Sequence, residues 1–391
     1  MDHSLGFDAT TASDFFFAEE HHMLRAQVRR FVEEKIKPYA DVWEQEGATP
    51  RDLLRSMGDL GLFGIRYPEA LGGAEMDVRA TVVLAEELGR STYAGVAITA
   101  LVHTDMASVH IWNAGNAAQK QRYMPGVISG EIITAVGITE PGAGSDVKGI
   151  RTRAQRVTGG WRLNGAKTFI TNGVLADVTC VAAKTDTSGP ASQGVTMFIL
   201  DKGMPGFTVT RQLDKHGWRS SDTAELSFVD VFVPEENVLG AEGRGFYEIM
   251  KNFQNERIVL AAMAMGEAQA AIEHTVAYVK DRQAFGAPLW DKQVIRQRLA
   301  ELATRVEAAR QMTYATAARM ARGEDLVREV SMLKALCGEL VNKVMYDCVQ
   351  FHGGTGFMTG TTIERMARDA RVQAIGGGAT EVMLEEVAKR M

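Results

Sequence analysis

The sequence is poor in cysteine and proline and carries no excess of basic charge. Its 391 residues include 3 cysteines and 9 prolines, and 43 Lys and Arg residues stand against 49 Asp and Glu. Cys180, Cys337 and Cys348 are odd in number and lie far apart or in apolar helical context, which predicts buried free thiols rather than a disulfide framework. The net charge of -6 and the scattered basic residues disfavour a nucleic-acid surface.

Long apolar runs and a targeting composition are also missing. No run is long enough to predict a membrane span. The first 22 residues are acidic and have neither a basic leader nor an Arg/Ser-rich transit composition, so we expect a cytoplasmic protein. His103 and His110 are seven apart in an apolar helix, without a carboxylate at ligand spacing. They predict core or cap histidines, and we expect no metal.

The hydrophobic periodicity changes twice along the chain, which predicts an α+β fold with three domains. Residues 1–130 are expected to form an N-terminal α-helical domain, with one long helix over residues 18–46 and a buried apolar helix over residues 95–111. Residues 131–240 show short apolar runs between turn signals, including the pairs Asn164-Gly165 and Asn172-Gly173, and predict a middle β domain. Helical periodicity returns in residues 241–391, the predicted C-terminal domain.

One acidic residue stands on an apolar helical stripe. Glu256 shares that stripe with four apolar residues at helical spacing: Ile249, Phe253, Leu260 and Met263. Burial raises the pKa of a carboxyl group, and a carboxylate with a raised pKa suits a general base acting on a weak carbon acid. The pattern alone equally allows a buried structural ion pair.

A glycine-rich loop at residues 139–146, TEPGAGSD, follows an apolar strand. Such a loop exposes backbone N–H groups, and Thr139 and Ser145 add hydroxyl donors for a pyrophosphate or a flavin edge. The spacing matches neither a P-loop nor a dinucleotide-binding fingerprint, because Val147 occupies the last glycine position. From composition alone, an ordinary glycine turn remains open.

The same loop resembles a signature of the acyl-CoA dehydrogenase family. Further segments resemble that family in the expected order: 167–173, 221–226, 281–286 and 350–357. The resemblance covers residues 16–390. It implies an N-terminal helical domain, a middle β-barrel-like domain, a C-terminal four-helix bundle and FAD as cofactor.

The resemblance also implies which residues contact FAD. Thr139 would bind the pyrimidine edge of the flavin, Ser145 the pyrophosphate, and Phe169 would stack on the ring near Thr171. Arg282 and Phe285 would reach the ADP part of a FAD held mainly by a neighbouring subunit, in a homotetramer. The full set of predicted cofactor residues is Ile138, Thr139, Gly144, Ser145, Phe169, Thr171, Arg282, Phe285, Gln350, Gly354, Thr380 and Glu381.

The position of the base departs from the commonest pattern of the family. Gly377 stands where many members have a catalytic glutamate, whereas Asn255-Glu256-Arg257 resembles the long-chain and isovaleryl type, whose base lies on the helix after the β domain. The resemblance therefore implies Glu256 as the base and the Gly377 N–H as a donor to the thioester carbonyl. Ser145, Arg257 and Gly377 are the predicted substrate-binding residues.

The implied reaction is α,β-dehydrogenation of an acyl-CoA to a trans-2-enoyl-CoA, with a medium-chain, long-chain or branched acyl group. The expected electron acceptor is an electron-transferring flavoprotein. Alternatives on the same fold are an acyl-CoA oxidase or related flavin oxygenase, and a dehydrogenase of acyl carrier protein thioesters. A regulatory or nucleic-acid-associated protein of this fold is disfavoured by the acidic charge.

Overall fold

The computed structural model describes residues 15–186, 188 and 194–391. In this part of the chain an N-terminal helical region is followed by one sheet and a C-terminal helical region. Of the acidic N-terminal segment used to predict localisation, residues 1–14 lie outside the described residues. The predicted division into residues 1–130, 131–240 and 241–391 stays a prediction; its boundaries fall between the helix that ends at Ser129 and the strand that begins at Thr134, and between the strand that ends at Leu239 and the helix that begins at Gly245.

The N-terminal helices are α1 (Glu19–Phe31), α2 (Ala40–Glu46), α3 (Arg51–Asp59), α4 (Val78–Gly89), α5 (Ala94–Leu101), α6 (Ser108–Ala114) and α7 (Ala117–Ser129). The prediction of one helix over residues 18–46 is wrong. After α1 the chain passes through a π-helical turn, Val32–Ile36, and a break at residues 37–39 before α2 begins. Pro38 explains the break, because its ring clashes with the carbonyl four residues earlier.

The predicted apolar helix lies in the core, as expected. α5 continues through a π-helical turn, Val102–Ala107, into α6. The segment Ala94–Ala114 is long and apolar enough to cross a membrane by length and composition, but its most apolar window is entirely buried. This is weak evidence for a span, because the core helix of a compact protein passes the same test.

A buried ion-pair network joins the N-terminal helices to the C-terminal region. Arg25 in α1 donates to Glu86 and Glu87 in α4, at 2.8 Å each. Arg310 donates to the other oxygen of Glu86 at 2.9 Å, and the Tyr314 hydroxyl also donates to Glu86. All five side chains are buried. The two cations hold the pKa of Glu86 at about 2 despite its burial, so Glu86 is ionised at neutral pH.

The sheet comprises β1 (Thr134–Gly137), β2 (Arg153–Val157), β3 (Gly160–Thr171), β4 (Val178–Lys184), β5 (Val195–Asp201), β6 (Phe207–Gln212), β7 (Thr223–Pro234) and β8 (Val238–Leu239). The strand order is β6-β7-β3-β2-β4-β5-β8, and β1 pairs with β4 in parallel. A single residue pair, Arg153 with Lys184, joins the β6-β7-β3-β2 part to the rest. The expected turn at Asn164-Gly165 is wrong, because both residues lie inside β3.

The C-terminal region contains α8 (Gly245–Asp281), a small hairpin of β9 (Gln283–Ala284) and β10 (Ala287–Pro288), α9 (Gln293–Ala321), α10 (Val327–His352), α11 (Gly354–Phe357), α12 (Thr362–Ala370) and α13 (Thr380–Ala388). The long helices α8, α9 and α10 pack against one another, and α12 and α13 pack on α10. α8 also packs against α4 and so connects both helical regions. The three cysteines are free and buried, as predicted.

Candidate active site

Glu256 lies in α8 with its carboxyl group inside the protein. Only 8% of the residue is exposed. Its Oε1 accepts a hydrogen bond of 2.8 Å from Asn252 Nδ2, one turn earlier. Burial raises the pKa of Glu256 to about 7, although the Asn252 hydrogen bond and the charge of Arg257 both lower it. With this pKa about half of the groups are ionised at pH 7, and the ionised form is more basic than an exposed carboxylate.

The alternative of a buried structural ion pair does not describe Glu256. Within the described residues, no Lys, Arg or His nitrogen lies within 4.0 Å of its carboxylate. The neighbouring Arg257 is directed elsewhere: its Nη1 donates to Ser331 Oγ at 3.3 Å and its guanidinium lies 5.2 Å from the Phe253 ring centre. Glu256 is thus a buried carboxyl group with one amide partner and no cation in contact.

The loop between α12 and α13 brings Gly377 to the same part of α8. A Cβ atom added to Gly377 would lie 2.3 Å from Leu260 Cδ1, and Leu260 is one turn beyond Glu256. Gly377 is exposed and left-handed, with φ +66°. Ile375 and Gly376 both donate their N–H groups to Val372 O at 2.8 Å, whereas the N–H of Gly377 has no acceptor among the described residues. A free donor therefore lies against α8, one helical turn beyond Glu256.

The glycine-rich loop after β1 is held by a buried lysine. Lys167 Nζ donates to Ile138 O at 3.0 Å and forms an ion pair of 2.8 Å with Glu140. Thr168 N donates to Thr139 O at 3.0 Å, so the loop lies beside β3. Beyond this anchor the loop is open: Gly144 and Ser145 are exposed, and no atom lies within 4 Å of a Cβ placed on Gly144. The predicted cofactor residues of the loop thus face free space next to β3.

Phe169 is the exceptional residue of β3. It is 68% exposed and has φ +58°, which is rare for an aromatic residue. It falls within a register shift between Lys167 and Ile170 in the pairing with β7, so a β-bulge turns its ring outward beside the glycine-rich loop. Thr171 ends the strand and is half-buried. An exposed aromatic ring on a strained backbone, next to an open polar loop, indicates a ligand-binding role.

A second group of predicted cofactor residues lies at the far end of α8. Arg282 follows the helix, and Phe285 in the hairpin is 95% exposed with φ +54°. Gln350 and Gly354 are exposed where α10 ends and α11 begins. Tyr278, near the end of α8, connects this helix to the end of α10. Its hydroxyl donates to His352 O at 3.2 Å, and its ring stacks on the His352 ring at 4.0 Å.

The second group lies far from Glu256 along α8. Glu256 and Asp281 are 25 positions apart in α8. At about 1.5 Å per residue, roughly 38 Å of helix separates them. The remaining predicted residues begin α13: Thr380 is buried and donates to Ala374 O at 3.5 Å, whereas Glu381 is exposed.

His103, expected to be a core histidine, holds β1 against the buried helix. Its Nδ1 accepts from Thr134 N at 3.1 Å, so its Nε2 donates to Val127 O at 3.0 Å. Burial lowers the pKa of His103 to about 4, and the ring is neutral. Burial alone lowers the pKa of His110 to about 4 as well. Neither histidine belongs to a cluster of potential metal ligands in the part of the chain that the structure describes.

Sequence reasoning missed two polar residues beside the site. Asn252 was not singled out, although it precedes Glu256 by one helical turn. Lys334 in α10 is 2% exposed, and its neighbours on one stripe, Val330, Cys337 and Val341, are fully buried. The spacing of four, three and four residues is the signal that identified Glu256, and it would have identified Lys334.

Comparisons with known proteins agree over nearly the whole chain. Three family models match: "Acyl-CoA dehydrogenase, N-terminal domain" over residues 18–131, "middle domain" over 135–231 and "C-terminal domain" over 243–391. The long-chain specific acyl-CoA dehydrogenase of Sus scrofa is 38% identical, covering 96% of this chain and 87% of the relative. An acyl-CoA dehydrogenase of Bacillus subtilis is 40% identical, covering 95% and 97%.

A solved structure gives the same result. The crystal structure of a probable acyl-CoA dehydrogenase from Mycobacterium abscessus is 42% identical, with a TM-score of 0.93 and coverage of 96% of this chain and 99% of that one. The helical, sheet and helical regions therefore match the family fold expected from the sequence. The chain belongs to the acyl-CoA dehydrogenase family, as an oxidoreductase that acts on a CH–CH group and uses FAD.

Proposed function

We propose that Glu256 is the base that removes the α-proton of an acyl-CoA thioester. The observation that carries the proposal is a buried carboxyl group with a pKa of about 7, no cation in contact and the free N–H of Gly377 nearby. FAD supplies the redox chemistry by accepting the β-hydrogen as a hydride, so the product is a trans-2-enoyl-CoA. Gly377 has no side chain and does not act as a base.

The Gly377 N–H is positioned to serve the thioester carbonyl. A hydrogen bond from this donor stabilises the negative charge that develops on the carbonyl oxygen and acidifies the α-carbon, an effect worth roughly 3 kcal/mol per donor. Arg257 and Ser145 complete the proposed substrate contacts. Because Glu256 is almost entirely shielded from water, its carboxylate stays reactive toward a weak carbon acid.

The residues around the glycine-rich loop fit a flavin. Phe169 offers an exposed aromatic face, held outward by a bulge. Thr139, Gly144 and Ser145 lie on the adjoining loop, Ile138 precedes that loop, and Thr171 ends β3. Thr380 and Glu381 would contact the same FAD from α13. These residues would hold the ring and the pyrophosphate.

The second group of predicted cofactor residues, at the far end of α8, fits the ADP part of a FAD bound to another copy of the chain. Arg282, Phe285, Gln350 and Gly354 are exposed and far from Glu256 along α8. A homotetramer is the assembly we propose for this arrangement. An electron-transferring flavoprotein is the proposed acceptor, as in the family, and the cytoplasm is the proposed location, for which a bacterial relative gives support.

The acyl group is proposed to be medium-chain, long-chain or branched. Support comes from the long-chain specific relative of Sus scrofa, at 38% identity. A panel of straight and branched acyl-CoA substrates, assayed with an artificial electron acceptor, would measure the preference. Oxygen consumption with hydrogen peroxide release would instead indicate an oxidase, and turnover of acyl carrier protein thioesters alone would indicate a carrier-protein dehydrogenase.

The test of the base is Glu256→Gln. We expect this variant to bind FAD and acyl-CoA but to lose nearly all reduction of the flavin by acyl-CoA under anaerobic conditions. Glu267→Gln is the matched control, because Glu267 is a second buried carboxyl group of α8, and burial raises its pKa to about 8. It should remain active. Retained activity in Glu256→Gln would remove Glu256 from the proposed role.

A further inference from the structure

The loop that presents Gly377 has little rigidity of its own. Three glycines follow one another at 376–378, and two have left-handed backbones, with φ +66° at Gly377 and φ +109° at Gly378. Glycine loses more backbone entropy on folding than any other residue, so such a run resists being held in one conformation. The N–H of Gly377 is useful to a thioester only at a fixed position, because an oxyanion donor must already be placed when charge develops.

Lys334 supplies the missing restraint from α10. Its Nζ donates to Gln373 O at 2.6 Å and to Gly378 O at 3.1 Å. One of these carbonyls precedes Gly377 in sequence and the other follows it. The lysine Cε lies 3.7 Å from the position of a Cβ atom on Gly377. The side chain therefore binds backbone carbonyls on both sides of Gly377 and lies beside that residue.

The charge of Lys334 has no acidic partner. The residue is 2% exposed, and within the described residues no carboxylate lies within 4.0 Å of its ammonium group. Burial, with a smaller contribution from the charge of Arg257, lowers the pKa of Lys334 to about 8. An unpaired buried cation is costly to a folded protein. A bound group that becomes negative during the reaction would provide the compensating charge.

We propose that Lys334 is a positioning residue for the thioester: it fixes the loop around Gly377 and adds positive charge beside that residue. The inference rests on the proposed function, because it needs a thioester carbonyl at Gly377. Lys334 contacts neither the reacting carbons nor Glu256 and acts through the loop. Both effects favour the enolate over the neutral thioester, so they contribute to the turnover rate more than to substrate binding.

The experiment compares Lys334→Met and Lys334→Gln with wild-type holoenzyme. Loss of one oxyanion donor costs about 100- to 1000-fold in turnover, and partial misplacement of a donor costs less. We therefore expect kcat to fall about 10- to 100-fold in both variants, with little change in KM. Lys343→Met is the control, because Lys343 lies on the same helix, is partly exposed and pairs with Asp347 at 2.9 Å.

A second readout is independent of turnover. A bound 3-ketoacyl-CoA ionises to an enolate, and its absorption reports the pH at which it does so. Removal of the buried charge should raise the midpoint of this titration by about one pH unit or more, a tenfold weaker stabilisation of the enolate. The control should keep the wild-type midpoint. Since a purely structural lysine would leave the midpoint of folded enzyme unchanged, this readout separates the two roles.

The possible results separate this inference from the proposed function. An unchanged enolate midpoint and kcat in the Lys334 variants, or a change in KM alone, would overturn the role of Lys334 while leaving Glu256 as the base. Failure of wild-type enzyme to be reduced by any acyl-CoA would instead overturn the proposed function. If Lys334→Met does not fold, Lys334→Gln, which keeps a donor without the charge, decides the question.

Discussion

Removal of the amide partner of Glu256 should shift the pH dependence of the reaction upward. Asn252 Nδ2 donates to Glu256 Oε1 at 2.8 Å and stabilises the ionised carboxyl group. A hydrogen bond to a charged group is worth roughly 1.5–3 kcal/mol, and one pKa unit corresponds to about 1.4 kcal/mol. Asn252→Leu, which preserves the approximate volume, should therefore raise the pKa of Glu256 by about one to two units above its value of about 7.

The assay is kcat/KM as a function of pH, because this quantity reports the ionisation of the free enzyme. In wild-type enzyme we expect kcat/KM to increase with pH through a midpoint near 7, since the ionised form of Glu256 is the base. In Asn252→Leu the midpoint should lie about one to two units higher, with little loss at pH values above it. At pH 7 the variant should therefore be slower by about 5- to 50-fold, because the ionised fraction of Glu256 falls from about one half to between about a tenth and a hundredth.

Asn255→Leu is the matched control for this prediction. The side chains of Asn252 and Asn255 both donate to Asp105 O, at 3.2 and 2.9 Å, but only Asn252 also donates to Glu256. The control removes a buried amide from the same helix without removing a partner of the base. An Asn252→Leu midpoint equal to that of wild type, or an equal shift in both variants, would refute the reasoning.

Three further outcomes follow from the structure. The pKa of the Glu256 carboxyl group is 4.5 in the unfolded chain and about 7 in the folded protein, so the folded protein binds this proton more tightly. The stability that the bound proton contributes is therefore fully present below about pH 4.5 and is lost as the pH rises through 7. Glu256→Gln holoenzyme should thus gain stability relative to wild type between pH 5 and pH 8, by at most roughly 3 kcal/mol, in thermal denaturation. Phe169→Ala should bind FAD roughly tenfold more weakly in a flavin fluorescence titration, with Phe169→Trp close to wild type, since an aromatic pair contributes about 0.5–1.5 kcal/mol beyond its buried area. Arg25→Met should lose about 3–5 kcal/mol in denaturant unfolding because buried glutamates lose their partner, whereas Arg156→Met, at an exposed ion pair, should lose little.

The burial of Glu256 was predictable because residues on one face of a helix can be recognised from their spacing. Glu256 interrupts an apolar stripe, and its burial confirms the interpretation of that stripe. Lys334 interrupts a stripe of α10 in the same way, yet a lysine usually extends its long chain to bring the charge to solvent. Whether a cation on an apolar face remains buried depends on acceptors from distant segments, here Gln373 O and Gly378 O, which the spacing along one helix does not reveal.

Local turn signals were less informative than pairing with neighbouring strands. Asn172-Gly173 follows β3 at a turn, as its sequence predicts. Asn164-Gly165 is chemically almost the same signal, but β7 pairs along both sides of it, and the register shifts between Leu163 and Gly165 instead of reversing the chain. Long-range strand pairing thus overrode the local preference. The bulge at Phe169 has no local signal of its own, because it arises from a second register shift in the same pairing.

The length of α8 determines how the two ends of the proposed FAD site are related. One continuous helix carries Glu256 and ends at Asp281, so roughly 38 Å of rigid structure separates the base from the hairpin with Arg282 and Phe285. Bending cannot bring the two places together within a chain, because α4, α9 and α10 pack along the helix. If the flavin lies at Glu256, as proposed, then the hairpin would reach the FAD of another copy and not that of its own chain. Catalysis would then depend on assembly even though the base, the Gly377 loop and the flavin-facing aromatic ring belong to one chain.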